Sequence, residues 1–291
     1  MAKLKGVYPA LVTPFKPDEQ VDKEALEQIV GFLVEQGVHG FFVCGHTGEG
    51  IAMTVDERKS VAEVVMDAAP EKISVIAHVG AVTTLAATEL ARHASDIGAA
   101  AVASNAPPYY GRDWESTKLH YEMVAEATDL PFFAYNPLGS ERVEELTSNI
   151  SNFAGLKYTS FDLFELQHIK ELRNGYLTVF SGRDEVFLPA LVMKADGAIG
   201  STLNFMPRLY VGVYKAYLNG QLQRARELQF KANRITKIAL QYGLPATKEI
   251  MALRGMNCGH CRKPTKPMDD RERLELKTKL EEAGFLKGEE A

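Results

Sequence analysis

The sequence predicts an α/β fold, a (β/α)8 barrel of the TIM type with a C-terminal helical extension. A short apolar, β-branched segment is followed by a segment of helical periodicity, and this pair recurs eight times over about 215 residues. Strands that alternate with helices pair in parallel, and eight such units close into a barrel. The 291 residues, 46% of them hydrophobic, are enough to bury a core without metal or disulfide bonds.

The predicted strands lie where apolar and β-branched residues cluster. They are residues 7–12, 40–44, 74–79, 99–104, 131–135, 155–159, 177–181 and 197–201. After the first strand, residues 22–36 place apolar side chains on one helical face, with Asp22 suited to cap the start and Gly37 just past the end. An open doubly wound sheet is the alternative fold. It usually carries G-x-G-x-x-G after its first strand, where this chain has Thr13-Pro14.

The pattern changes after about residue 220, where helical periodicity continues without intervening strands. Three helices are predicted, at residues 221–242, 246–256 and 269–283. We therefore expect two parts, a barrel over residues 1–220 and a three-helix extension over residues 221–291.

Composition restricts the class of partner and the compartment. Thirty-three basic and 38 acidic residues leave a net charge of −5, which argues against a nucleic-acid partner because phosphate neutralisation needs a basic surface. No apolar run approaches the roughly 20 residues of a membrane helix, and the opening segment does not resemble a signal peptide. Three cysteines cannot build a disulfide framework. We expect a cytoplasmic protein with no membrane partner.

A barrel of this kind places its active site at the carboxyl ends of its strands. Lys157 lies in the sixth predicted strand and Tyr135 ends the fifth. The lysine is either a strand-end residue that extends to solvent or a desolvated amine of lowered pKa, as a Schiff-base nucleophile requires. The tyrosine is either a packing residue or a proton carrier beside that amine.

Three polar segments complete the predicted rim. The glycine-rich turn at residues 45–50 is either a plain turn or a cradle in which backbone N–H groups and Thr47 bind a small carboxylate. Asp184 and Glu185, after the seventh strand, either cap a helix or bind a polyhydroxylated ligand. Residues 200–204, after the eighth strand, add further hydroxyl and amide groups.

Taken in order, these segments resemble one family, the pyruvate-dependent class I aldolases typified by dihydrodipicolinate synthase and N-acetylneuraminate lyase. The resemblance covers essentially the whole chain, from Thr-Pro-Phe at residues 13–15, through the Gly-x-Thr-Gly-Glu turn and Tyr135-Asn136, to Lys157. It implies that Lys157 forms the Schiff base and that Tyr135 is the acid/base. Thr47 would relay protons and help to bind the pyruvyl carboxylate. No metal or cofactor is implied, because the imine serves as the electron sink.

Other segments look like the N-acetylneuraminate lyase branch of that family. They are residues 76–80, 182–185, 200–204 and 261–264. The resemblance implies that Gly182, Asp184, Glu185 and Ser201 hold the sugar hydroxyls. His46 and Thr159 are further candidates for substrate binding. It also implies a homotetramer in which an aromatic residue, Tyr109 or Tyr110, reaches the active site of a neighbouring subunit.

The chain departs from the family pattern in two places. His46 stands where a serine or threonine usually precedes Thr47, so an imidazole replaces a hydroxyl. The stretch between Tyr135 and Lys157 is several residues short for the lyase branch, in the loop after the fifth strand. That loop also lacks the arginine with which the synthase branch binds its second substrate.

The expected activity is cleavage of N-acetylneuraminate, or a similar sialic-acid-like 2-keto acid, to pyruvate and N-acetylmannosamine. The first alternative keeps the Schiff base in a dihydrodipicolinate synthase or another 2-keto-3-deoxy sugar acid aldolase or dehydratase. The second is a non-catalytic sensor that binds a keto acid.

Two further motifs are interpreted as structural. Cys258 and Cys261 lack the second pair of ligands that a structural zinc site needs, so a loop before the last helix is expected there. His78 ends a strand within an apolar run and is expected to be a hydrogen-bonded barrel residue rather than a base.

Overall fold

The computed structural model describes residues 3–111 and 113–286. Eight parallel strands form one sheet, and each is followed by a helix that packs on the outside. The strands are β1 (Gly6–Pro9), β2 (Gly40–Val43), β3 (Ser74–His78), β4 (Ala101–Ser104), β5 (Phe132–Tyr135), β6 (Phe153–Tyr158), β7 (Thr178–Ser181) and β8 (Gly197–Gly200). The predicted (β/α)8 barrel is confirmed, with strand ends within two residues of those expected except in β1, which ends three residues earlier than predicted.

The first eight helices alternate with the strands. They are α1 (Lys23–Glu35), α2 (Val55–Ala68), α3 (Thr84–Asp96), α4 (Trp114–Glu126), α5 (Ser140–Asn149), α6 (Leu163–Glu171), α7 (Phe187–Val192) and α8 (Pro207–Leu218). In α1 the Asp22 side chain accepts a hydrogen bond from the backbone N–H of Ala25, which confirms the predicted cap.

The sheet closes between its first and second strands. Its order runs from β1 through β8 down to β2, and the two ends meet where Leu11 donates its N–H to the carbonyl of Phe42 at 2.9 Å. Closure removes the unpaired strand edges that an open sheet would expose. It also encloses an interior that only alternate residues of each strand can reach.

Apolar side chains fill the enclosed interior, and we call this set the inner cluster. Its largest members are aromatic: Tyr8, Phe42, Phe133 and Phe180. Larger apolar clusters lie between the strands and the surrounding helices. A charged group that points into the barrel therefore meets rings and aliphatic groups rather than water.

Three helices follow the barrel. They are α9 (Leu222–Ala239), α10 (Leu244–Leu253) and α11 (Asp270–Glu282). Their apolar residues belong to the same continuous cluster as residues of β1 and α1. The division of the chain at residue 220 stays a prediction. Over the described ranges, no helix is both long and apolar enough to cross a membrane.

A buried ion pair joins the extension to the barrel. The Lys248 Nζ atom on α10 lies 2.7 Å from the Glu49 Oε1 atom, in the turn after β2, and both side chains are at most 5% exposed. Lys248 also donates to the carbonyl of His260 at 3.0 Å and lies over the ring of Phe15. The second carboxylate oxygen of Glu49 accepts the backbone N–H of Arg262 at 2.7 Å.

We predict that Lys248→Met lowers the free energy of unfolding by about 3–5 kcal/mol, because it leaves the Glu49 carboxylate buried without a counter-charge. Denaturant unfolding at neutral pH measures the loss. Lys266→Met is the control, since Lys266 is 73% exposed and pairs with Asp269 at the surface; we expect about 0–1 kcal/mol there. Equal losses in the two variants would contradict the importance of the buried pair.

Candidate active site

A register shift between β5 and β6 brings Lys157 beside Tyr135. Phe132 of β5 lies opposite Phe153 of β6, and Tyr135 lies opposite Lys157. Between these two pairs β5 advances by three residues, whereas β6 advances by four. The β6 strand therefore carries one extra residue, a β-bulge at its start. The two polar side chains become direct neighbours at the carboxyl ends of their strands.

The bulge also decides which face Lys157 occupies. Ala154 packs on the inner cluster, and in a regular strand Leu156 would share that face. Instead Leu156 packs outward against the helices, and Lys157 points into the barrel. Gly155 makes the irregularity feasible, with a φ of 151° and a position where a Cβ would lie 1.8 Å from a β7 carbonyl oxygen.

The Lys157 ammonium lies among aromatic rings. Its Nζ atom is 4.1 Å from the ring centre of Tyr135 and 4.4 Å from that of Phe42, and the residue is 5% exposed. Removal from water lowers the pKa of this amine to about 7, although the Asp184 carboxylate acts in the opposite direction. A substantial fraction of the amine is therefore uncharged and nucleophilic at neutral pH.

Tyr135 is half-buried and faces two opposite charges. Burial raises the pKa of its phenol, the Arg183 guanidinium lowers it and the Asp184 carboxylate raises it. The rings of Phe42 and His78 each meet the Tyr135 ring edge-on at 5.7 Å. These contacts hold the phenol over the interior beside Lys157.

His78 has hydrogen-bond partners for both ring nitrogens. Nδ1 lies 3.0 Å from the carbonyl oxygen of Cys44 and donates to it, and Nε2 lies 2.9 Å from the side-chain amide of Asn105, whose NH2 group can donate to the neutral ring. Burial, with a smaller contribution from the positive charge of Arg58, lowers the pKa of His78 to about 3, so the ring is neutral. The interpretation of His78 as a hydrogen-bonded barrel residue is confirmed.

The glycine-rich turn after β2 is held rigidly at the same end of the barrel. Thr13 Oγ1 donates to the carbonyl of Gly48 at 2.7 Å, and a Cβ on Gly48 would lie 2.7 Å from the carbonyl oxygen of Leu11. Thr47 is buried in this turn, whereas His46 is exposed to solvent. The two candidates thus occupy different environments although they are adjacent.

Asp184 is buried and uses only half of its carboxylate within the protein. Oδ2 accepts the backbone N–H of Thr202 at 2.9 Å and its hydroxyl at 2.7 Å. Among the residues that the structure describes, Oδ1 has no hydrogen-bond partner. Burial raises the pKa of Asp184 to about 6. The carboxylate caps the turn that begins at Thr202 rather than its own helix, and Oδ1 is buried beside Gly200, where a Cβ would lie 1.5 Å from it.

Thr159 and Gly182 form a close contact beside Asp184. A Cβ on Gly182 would lie 2.3 Å from Thr159 Oγ1, so only glycine fits there. That hydroxyl oxygen is buried and lacks a partner in the described ranges. Glu185 and Ser201 are half-buried on the adjoining loops, where their carbonyl groups accept hydrogen bonds from Asn233 and Asn204.

The remaining candidates lie outside this group. Tyr109 and Tyr110 are 74% and 81% exposed on the loop after β4. Cys258 and Cys261 are buried free thiols in the loop between α10 and α11, as expected. No group of three or more His, Cys, Asp or Glu within residues 3–111 and 113–286 is arranged to hold a metal ion.

Sequence reasoning gave no role to Phe42, Thr202 or Arg183. Phe42 reads as an ordinary core residue, although its ring lies under the Lys157 amine. Thr202 and Arg183 each follow a predicted strand, at the end of the barrel where the active site is expected. That position is the sequence feature that could have indicated a role for them. Their contacts depend on loops that meet only in the closed barrel.

Comparison with known proteins agrees with this geometry. The model of the dihydrodipicolinate synthetase family matches residues 3–283. An N-acetylneuraminate lyase of Rhizobium meliloti is 35% identical over 274 residues, which cover 92% of this chain and 91% of that protein.

The Proteus mirabilis N-acetylneuraminate lyase structure superposes with a TM-score of 0.92 at 28% identity, covering 98% of this chain and 100% of that one. A dihydrodipicolinate synthase crystal structure gives 0.89 at 33% identity, covering 97% and 100%. The chain belongs to the dihydrodipicolinate synthetase family.

Proposed function

We propose that this protein is a class I aldolase that cleaves N-acetylneuraminate, or a similar sialic-acid-like 2-keto acid, to pyruvate and N-acetylmannosamine. The observation that carries the proposal is the Lys157 amine, enclosed by rings at the barrel mouth with a pKa of about 7. An uncharged amine at neutral pH is what imine formation with a ketone requires. Membership of the family supports a pyruvate-dependent lyase.

The proposed reaction proceeds through an imine on Lys157. The amine attacks the C2 carbonyl of the open-chain keto acid, water leaves, and a protonated imine forms. Tyr135 takes the proton of the C4 hydroxyl as the C3–C4 bond breaks, and the electron pair moves into the imine to give an enamine and the aldehyde. The enamine is protonated at C3, and water then hydrolyses the imine to release pyruvate and the free amine.

The remaining candidates are proposed to bind the two halves of the substrate. Thr47 and the backbone of its turn would hold the pyruvyl carboxylate and relay protons, with the exposed His46 at the edge of that subsite. The unpartnered oxygens of Asp184 and Thr159 support a hydroxyl-binding region. Gly182, Glu185 and Ser201 would complete this hydroxyl-binding region.

Pyruvate release from a panel of 2-keto acids tests the substrate assignment. Release from N-acetylneuraminate at the highest kcat/KM supports the proposal. Preference for a shorter keto acid, or condensation of pyruvate with an amino-aldehyde acid, would favour the other members of the family. A keto-acid sensor would bind members of the panel without releasing pyruvate.

We also propose a cytoplasmic homotetramer. The exposed rings of Tyr109 and Tyr110 project from the loop after β4, which supports contact with a neighbouring subunit near its active site. Sedimentation at micromolar concentration would give the mass of four chains, and a monomer would overturn the oligomeric part of the proposal.

Lys157→Arg is expected to abolish turnover while the barrel stays folded, because arginine remains protonated and cannot form the imine. Mass spectrometry after pyruvate and borohydride should place the reduced adduct on Lys157 in the wild-type protein and detect none in the variant. An adduct on Lys248 or Lys263 would contradict the assignment. The melting temperature of the variant controls for misfolding.

The rate of imine formation with pyruvate should rise with pH to a plateau, with its midpoint at about 7, because only the unprotonated Lys157 amine reacts. Asp184→Asn removes a negative charge that favours the protonated amine, so it should move the midpoint to lower pH. Trapping with cyanoborohydride across pH 5–10 measures both. A midpoint near that of a free lysine would contradict burial as the source of reactivity.

Tyr135→Phe should lower kcat by roughly 10²–10⁴-fold, the usual contribution of a positioned acid/base. The ring contacts with Phe42 and His78 do not require the hydroxyl, so the fold should be retained. Steady-state kinetics and the melting temperature test the two halves of this expectation. A variant within a few-fold of the wild type would mean that another group moves the proton.

A further inference from the structure

Arg183 places a positive charge at the barrel mouth, on the side of the hydroxyl-binding region. It lies in the loop after β7, between Gly182 and Asp184, and its guanidinium carbon is 4.7 Å above the ring of Phe161. Phe161 follows β6, the strand that carries Lys157. The charged group therefore spans the carboxyl ends of β6 and β7.

This guanidinium has no counter-charge in the part of the chain that the structure describes. No carboxylate there lies within ion-pair distance of Arg183, and its Nε atom is buried without a hydrogen-bond partner. Partial removal of an arginine from water is unfavourable unless its donors are satisfied. A carboxylate ligand is a suitable partner, because it accepts two parallel hydrogen bonds from the guanidinium fork.

The position of Arg183 indicates which part of a substrate would meet it. Its charge acts on the Tyr135 phenol, so the two groups lie within electrostatic range. Under the proposed function, Tyr135 takes the proton of the C4 hydroxyl. A substrate group that reaches Arg183 consequently belongs to the aldehyde half, a few bonds beyond C4.

We propose that Arg183 is a specificity-determining residue that binds a carboxylate at the far end of the aldehyde half. Among 2-keto acids of equal length, this site would then favour sugar diacids over those that end in a hydroxymethyl group; N-acetylneuraminate ends in a hydroxymethyl group and would leave the subsite unused. The inference rests on the proposed cleavage at Lys157. It goes beyond that proposal by assigning a second anionic subsite.

Two six-carbon keto acids form a matched test, 2-keto-3-deoxygluconate and 2-keto-3-deoxyglucarate, which differ only in a terminal hydroxymethyl or carboxylate group. In the wild type, kcat/KM should be about 10- to 150-fold higher for the diacid, the usual effect of a hydrogen bond to a charged group. Arg183→Met should remove that preference mainly through KM of the diacid. It should lower kcat/KM of the diacid more than that of the neutral-ended acid, because the effect of Arg183 on the Tyr135 phenol acts on both acids alike and cancels in their ratio.

Two further variants separate charge from packing. Arg183→Lys keeps the charge and should retain part of the diacid preference. Arg142→Met is the matched control, because the Arg142 guanidinium also lies over an aromatic ring, 5.0 Å from the ring centre of Trp114, on an exposed part of α5. It should leave the diacid preference intact.

Three results would overturn the proposal: equal kcat/KM for the two acids in the wild type, equal losses on both acids in Arg183→Met, or loss of the preference in Arg142→Met. Calorimetric binding of both acids to the wild type and Arg183→Met makes the test independent of turnover. Tighter diacid binding that Arg183→Met removes supports Arg183 even if no pyruvate is released. Absence of a pyruvate adduct counts against the proposed function alone.

Discussion

The enclosure of one amine by the barrel interior is the constraint on which the rest of the site depends. An ammonium in that environment loses its hydration, and the aromatic faces of Tyr135 and Phe42 compensate only in part. The neutral amine is therefore far more populated at neutral pH than in an ordinary lysine. The bulge in β6 points Lys157 into the barrel. The closed sheet and the aromatic rings of the interior then keep water away from its amine. A flat or open sheet would leave the same lysine hydrated and protonated.

The charges around the amine are arranged unevenly. Asp184 faces both Lys157 and Tyr135 and favours the protonated form of each. Its own pKa of about 6 means that its charge weakens in mildly acidic solution. Arg183 opposes it at the phenol. The phenol thus lies between an acidic and a basic side chain that are adjacent in sequence, so one short loop after β7 controls the electrostatic field at the proposed proton carrier.

Much of this architecture follows from local sequence signals. The alternation of strand and helix patterns predicted the barrel, and the ends of the predicted strands put Lys157 and Tyr135 at the mouth. The bulge in β6 was not predictable from the sequence. Gly155 permits an irregular backbone, but its presence does not determine the register in which β6 pairs with β5. The contact of Asp184 with Thr202 joins two loops eighteen positions apart, and hydrogen bonds of that kind depend on closure of the sheet. The exposure of His46 beside the buried Thr47 depends likewise on packing, which a sequence motif does not record.

The link between Glu49 and the C-terminal region has a consequence for the order in which the protein matures. The turn that carries Thr47 and Glu49 is synthesised early. The groups that neutralise and anchor the Glu49 carboxylate are the Lys248 side chain and the backbone N–H of Arg262, which lies 213 positions after Glu49. During synthesis the turn leaves the ribosome long before these partners exist. The Glu49 side chain is therefore anchored only after nearly the entire chain has been translated, and a nascent barrel that already has all eight strands still lacks both of its partners.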